Sequence, residues 1–353
     1  MRKPFLDNLR YSIVLLVIVY HIFYLFNSVG VLTNVAIPGI PALDTLLYLL
    51  YPWFMVALFL ISGICARYSL QKQTSREFLK SKVQRQLIPS VAVVFIFGWT
   101  SGWVTNQYTD MFAGNGGQIP AAAKYLIWCL NGIGVTWFLH ELLAADLVLV
   151  LLRRIDHKDR LWQLGGKANI LVLCLLVFAL WGSAQILNTP LIEIYRNGIY
   201  IFAFLIGYFV FSHDRIQQLL AKCAPALAAA GSVLAVIYTA SSWGKNYASL
   251  PHLKSFLTNA YAWFAVLAVL GAGKRWLDKE TRFTRTMAGR SFGFYMLHYP
   301  LLALGAYAMD KLLHLPVWSM YLLLLLEMAV ILPLLVSLVK RIPILRTLVL
   351  GER

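Results

Sequence analysis

The chain has 353 residues, 60% of them hydrophobic and only 13% charged, with a mean hydropathy of +0.69. That composition excludes a soluble globule and points to an all-α polytopic membrane protein. The net charge of +16 would suit nucleic acid, but its distribution along the chain assigns it to membrane topology instead.

The chain opens on DNLRYSIVLLVIVYHIFYLF, residues 7–26, where a charged start leads into an apolar run interrupted by His21. No small-residue cleavage site follows, so the run reads as a retained span rather than a removed leader. Eleven residues at about 100° each return close to the starting direction, so Arg10 and His21 share a helix face, about 16 Å apart in rise. Arg10 then sits at the membrane edge and His21 near mid-bilayer, where an ionisable group is costly and by default functional.

In order, the apolar runs predict about ten spans, at 11–27, 46–66, 87–105, 135–152, 169–187, 198–212, 225–243, 256–273, 291–308 and 317–339. The run 198–212 is short for a span, and 121–132 suits a short helix at the outer interface. With a cytoplasmic N-terminus, every Lys and Arg falls inside except Lys124, Arg196, Lys245, Lys254 and Lys311. That bias places both termini in the cytoplasm, and part of the basic face suits an anionic cytosolic ligand. Pro38, Gly39 and Pro41 break helix in the outer loop 28–45, and Gly114-Asn115-Gly116-Gly117 marks a turn or lid in 106–120. Cys65, Cys129, Cys174 and Cys223 lie in or beside apolar runs without metal spacing, so no metal site is expected and they read as small buried hydrophobes. There is no internal repeat.

Depth links the polar residues within the spans. Glu141 lies twelve residues before Arg153, about 18 Å deep, and His298 eight residues past Arg290, about 12 Å deep. With His21 they occupy one layer of the bilayer. His298 also stands beside Pro300, so bonds to carbonyls freed by a kink are an alternative role. His140 faces elsewhere, the role of Asp146 is open, and Glu327 is a further candidate. Composition alone supports a polytopic protein with a buried polar site. The residue types suit acyl transfer: a histidine deprotonates an acceptor hydroxyl, a carboxylate fixes its tautomer, and arginine holds donor phosphates.

Five stretches then resemble, in order, the integral-membrane acyltransferase-3 family. LDNLR with His21 is similar to the family's opening signature. LFLISGICARY (58–68) is similar to its FFxxSGF segment, and FLKSKVQRQLIPS (78–90) to its basic R-x-x-R…P loop. VTWFLHELL (135–143) is similar to its WFL helix, and SFGFYMLHYP (291–300) to its late Y-x-x-H-x-P helix. The resemblance implies a ten-helix domain over the whole chain, residues 1–353, and transfer of an acetyl or succinyl group from acyl-CoA to a hydroxyl of an envelope saccharide or lipid-linked sugar. The family's arginine and histidine map onto Arg10 and His21, and its basic-loop pair onto Lys82 and Arg85. Lysine at position 82 departs from the pattern and loses the bidentate fork of arginine. No soluble extension follows the tenth segment.

The expected protein is therefore a bacterial inner-membrane O-acyltransferase with acyl-CoA as co-substrate and no tightly bound cofactor. His21 is its base or nucleophile, and Glu141 orients His21 or polarises the acceptor. Arg10, Lys82 and Arg85 bind the donor, and Trp137 and His298 line the site. A secondary transporter of an envelope precursor is the alternative, since transporters also bury His and Glu at mid-bilayer. A non-catalytic scaffold is a third reading.

Overall fold

The computed structural model describes residues 3–114, 116–188 and 195–352. Asn115 of the outer glycine run and the terminal arginines Arg2 and Arg353 lie outside the described residues. The chain is all-α, with no strand among the described residues beyond one isolated bridge, Asn188 to Arg196. Helix is what the composition demands, because in hydrocarbon every backbone N–H and C=O must find its partner within the segment.

Among the described residues, seven helical stretches are long and apolar enough to cross a membrane: Pro4–Tyr24, Pro41–Leu70, Ser75–Thr109, Gly134–Ile155, Asp214–Ser242, Phe256–Trp276 and Val317–Arg341. The expected spans 169–187 and 198–212 correspond to the shorter apolar helices Ile170–Ser183 and Asn197–Phe211. The expected span 291–308 lies within helix Arg282–Tyr307 except for Ala308, which opens the π-turn Ala308–Leu312, and the first turns of that helix carry Arg282, Arg285 and Arg290. The stretch 121–132 forms helix Ala121–Asn131. Helix Asp214–Ser242 begins eleven residues before the expected 225–243. An apolar run locates the buried part of a helix, and its polar ends continue past it.

The chain forms two compact units. The first comprises Met1–Ile13, Tyr48–Lys82 and Glu141–Gly289. Within it, helix Phe256–Trp276 packs along Asp214–Ser242, and the indole of Trp263, fully buried, donates to the Leu173 carbonyl at 2.8 Å. Helix Phe54–Leu70 packs on Asn197–Ile206 and the π-turn Gly207–Phe211 at two glycines. A Cβ on Gly63 would run into the Phe204 carbonyl, and one on Gly207 into that of Leu60. At the end of the same helix, Arg67 meets Asp159 at 3.1 Å and the Tyr208 hydroxyl at 3.1 Å, and its guanidinium lies 4.2 Å from the Trp162 ring. Asn8 donates to the carbonyls of Leu277 and Lys279, just past the end of helix Phe256–Trp276, at 2.6 and 2.8 Å. Thr74 and Glu77 form a reciprocal capping box that opens helix Ser75–Lys82.

The second unit comprises Val14–Leu47, Val83–His140 and Arg290–Arg353. Helices Trp99–Thr109 and Ala121–Asn131 pack together, and helix Pro343–Leu350 packs on Ile88–Val93 and Val317–Arg341. The outer loop is tied down in two places. Asn34 donates to Thr105 Oγ1 at 2.6 Å and to the Ser101 carbonyl at 3.2 Å, and Asp44, buried, accepts from the Ser28 amide and hydroxyl. Before Pro89, which cannot donate to the carbonyl of Arg85, the helix widens into the π-turn Val83–Leu87.

Candidate active site

Helix Pro4–Tyr24 carries both Arg10 and His21. In the second unit, His21 meets His298, which sits on helix Arg282–Tyr307. His298 Nε2 lies 3.1 Å from His21 Nδ1. Each ring also contacts backbone carbonyls of its own helix. His298 Nδ1 lies 2.7 Å from the Tyr295 oxygen and 3.1 Å from that of Phe294, and His21 Nδ1 lies 2.8 Å from the Val17 oxygen.

These contacts assign the tautomers. A carbonyl only accepts, so both Nδ1 atoms carry the proton. His298 Nε2 is then a bare acceptor, and the His21 Nδ1–H is shared between it and Val17. The remaining nitrogen, His21 Nε2, is a free lone pair with no hydrogen-bond partner among the described residues. Pro300 frees the carbonyl four residues earlier, that of Met296, so the carbonyls His298 holds are not the one freed by the proline.

Aromatic rings frame the pair. Tyr299 lies edge-on to His21 at 5.1 Å, and its hydroxyl donates to Asn34 Oδ1. Tyr20 and Tyr24 lie edge-on to His21 at 5.2 and 5.8 Å. Tyr295 stands 5.9 Å from His298 and donates to the Val135 carbonyl at 2.7 Å, fixing the turn that leads into Trp137. Trp137 is buried and lies edge-on to Phe138, which in turn packs on Tyr295. Gly134, at φ +48°, lets this turn approach the Tyr299 ring, where a Cβ would stand 3.1 Å from the nearest ring carbon.

The remaining expected site residues divide between the units. Arg10 belongs to the first, where its guanidinium donates to Cys65 Sγ at 3.0 Å and stands 3.6 Å from Asp7. Its side chain is 39% exposed. Lys82, also in the first unit, pairs with Asp146 at 3.1 Å, and Asp146 is fully buried. Glu141 is 1% exposed, and neither carboxylate oxygen has a hydrogen-bond partner among the described residues. Arg85, in the second unit, lies in the π-turn Val83–Leu87 beside Gly351. Glu327, in the same unit, packs its carboxylate against Gly305. No group of three or more His, Cys, Asp or Glu is placed to hold a metal ion among the described residues.

Tyr299, Asn34, Cys65 and the Lys82–Asp146 pairing were not assigned from the sequence. Tyr299 is flagged only by adjacency to His298. Asn34 lies in a loop and carries no periodic signal. The partners of Cys65 and Asp146 depend on helix rotation.

A model of the acyltransferase domain family matches residues 3–346. Among characterised proteins, glucans biosynthesis protein C of Escherichia coli O6:K15:H31 (strain 536 / UPEC) is 24% identical over 329 residues, covering 87% of this chain and 84% of the relative. Its counterpart in Shigella boydii serotype 4 (strain Sb227) matches with the same identity and coverage. No solved structure matches the chain.

Proposed function

Because the chain belongs to the acyltransferase-3 family and is a multi-pass membrane acyltransferase, we propose that it moves an acetyl or other short acyl group from acyl-CoA to a hydroxyl of an envelope saccharide or lipid-linked sugar, in the bacterial inner membrane. The names of its relatives make a glucan the first acceptor to try. The observation that carries this reading is the hydrogen bond between His21 and His298, which leaves His21 Nε2 as a free base on a ring flanked by the partly exposed Tyr24.

In the step itself, His21 Nε2 takes the proton of the acceptor hydroxyl. The alkoxide oxygen bonds to the thioester carbonyl, the carbon–sulfur bond breaks, and the proton passes from His21 to the departing thiolate. In a two-step version Nε2 attacks the thioester first and the acceptor displaces it. The same Nδ1–H, held by Val17 and His298, stabilises the imidazolium in either version. Arg10, with a side chain 39% exposed, and separately Arg85 are cations suited to donor phosphates. Lys82 contributes less, because Asp146 already compensates its charge. Glu141, whose carboxylate oxygens have no hydrogen-bond partner among the described residues, does not hold the His21 ring as the sequence suggested, and Trp137 lines the acceptor side.

The test is transfer of label from radioactive acetyl-CoA, and separately succinyl-CoA, into a soluble glucan by the detergent-purified protein. Label in the glucan supports the reading. Uptake of the saccharide into proteoliposomes without any acyl donor, and no transfer in detergent, would mark a transporter instead.

A further inference from the structure

The two histidines differ in one decisive respect. His298 is 0% exposed, whereas His21 retains partial access. A side chain with no accessible surface does not touch substrate without the helix rearranging. His298 is also fully committed: Nδ1 is bound to two carbonyls of its own helix, and Nε2 faces His21. Lining a substrate pocket explains neither fact.

We infer that His298 is a positioning residue that acts through His21, its neutral Nε2 accepting the His21 Nδ1–H so that the ring is aimed and His21 Nε2 is kept as the reacting nitrogen. An imidazole here takes the place that a carboxylate holds in hydrolase triads. It differs in being neutral, so it orients the base and receives its N–H without placing a fixed charge in a low-dielectric site. The backbone carbonyls of Phe294 and Tyr295 are what make the arrangement one-directional. They hold the proton on His298 Nδ1 and so oblige Nε2 to accept. The assignment rests on the acyl-transfer reading for its kinetic consequences, but its hydrogen-bond pattern stands apart from it.

Two variants isolate the acceptor atom. His298→Gln places an amide oxygen near the position of Nε2, while His298→Leu fills the space with no acceptor. Both lose the bonds to Phe294 and Tyr295, so a purely structural role affects them alike. We expect His298→Leu to lower kcat on the order of 10²-fold, the scale of a misoriented general base, with KM for acyl-CoA unchanged. We expect His298→Gln to recover most of that loss. Nitrogen-15 histidine spectra of the full-length protein in detergent, assigned with His21→Ala and His298→Gln, are expected to show both rings as Nδ1–H tautomers.

The inference is overturned if His298→Leu keeps wild-type kcat, if Gln and Leu are equally impaired, if KM rises in place of the kcat loss, or if His298 is found as the Nε2–H tautomer. Should wild type turn over no acyl donor at all, the acyl-transfer reading fails instead, and the spectra alone decide the hydrogen-bond assignment.

Discussion

Asp146 is fully buried and its carboxylate meets Lys82 at 3.1 Å. Removing one partner of such a pair strands a charge away from water, at a cost of about 3 kcal/mol. We therefore expect Lys82→Ala to lower the thermal midpoint in detergent, and Lys82→Ala with Asp146→Asn to recover most of the loss. Equal midpoints for Lys82→Ala and wild type would show that the pair carries no stability. His252 offers a second test, outside the spans. Burial, and then the neighbouring Lys245, hold its imidazole below its ordinary range, and its Nε2 contacts Ser242 Oγ at 3.0 Å. The folded state thus binds fewer protons here than the unfolded one, so stability present above the unfolded pKa of 6.5 is lost as pH falls below it. The slope of thermal midpoint against pH below that value should flatten in His252→Asn. An unchanged slope would remove His252 from the account. The sequence exposed His21 and His298 through their depth in apolar runs. It did not expose the bond between them, because rotation of one helix against another leaves no mark in either helix alone.

At the level of elements, glycine explains the motif that the second expected span carries. In LFLISGICARY, Gly63 is where helix Phe54–Leu70 meets the backbone of Phe204, with the Tyr208 amide 3.0 Å from a Cβ at that position. Small residues let helices approach where no hydrophobic force between apolar surfaces draws them together. Gly63→Leu should therefore abolish a monodisperse peak in size-exclusion chromatography or lower the thermal midpoint by many degrees. A well-behaved Gly63→Leu protein of wild-type stability would contradict the close packing. Spans were legible as apolar runs, but helix ends were not. Asp214, Arg215, Gln217 and Lys222 read as loop residues yet form the first turns of helix Asp214–Ser242, because a helix does not stop where the bilayer stops. The π-turn Val83–Leu87 around Arg85 likewise has no signature beyond the proline that follows it.

For the molecule as a whole, charge sets an orientation that can be measured. The loop charges predict cytoplasmic termini, and on that prediction the basic segment 153–167 is expected to face inward and 106–120 outward. Single cysteines placed at Lys158 and Gln118 in a cysteine-free background should react with an impermeant maleimide from opposite sides of sealed vesicles. Reaction of both from one side would overturn that topology. The class of the protein, its polytopic helical fold and its family motifs were readable because bilayer burial and loop charge act locally on sequence. The pairing of polar groups across helices was not, because it depends on packing.

The central claim is that acyl transfer runs through the free nitrogen of His21. The most direct measurement is thiol release from acetyl-CoA by purified wild type beside His21→Ala and His21→Gln, each matched for folding by its chromatographic profile, with glucan present as acceptor. We expect release and acceptor labelling by wild type, with both variants lowered at least on the order of 10²-fold. Full activity in either folded variant would contradict the assignment of His21.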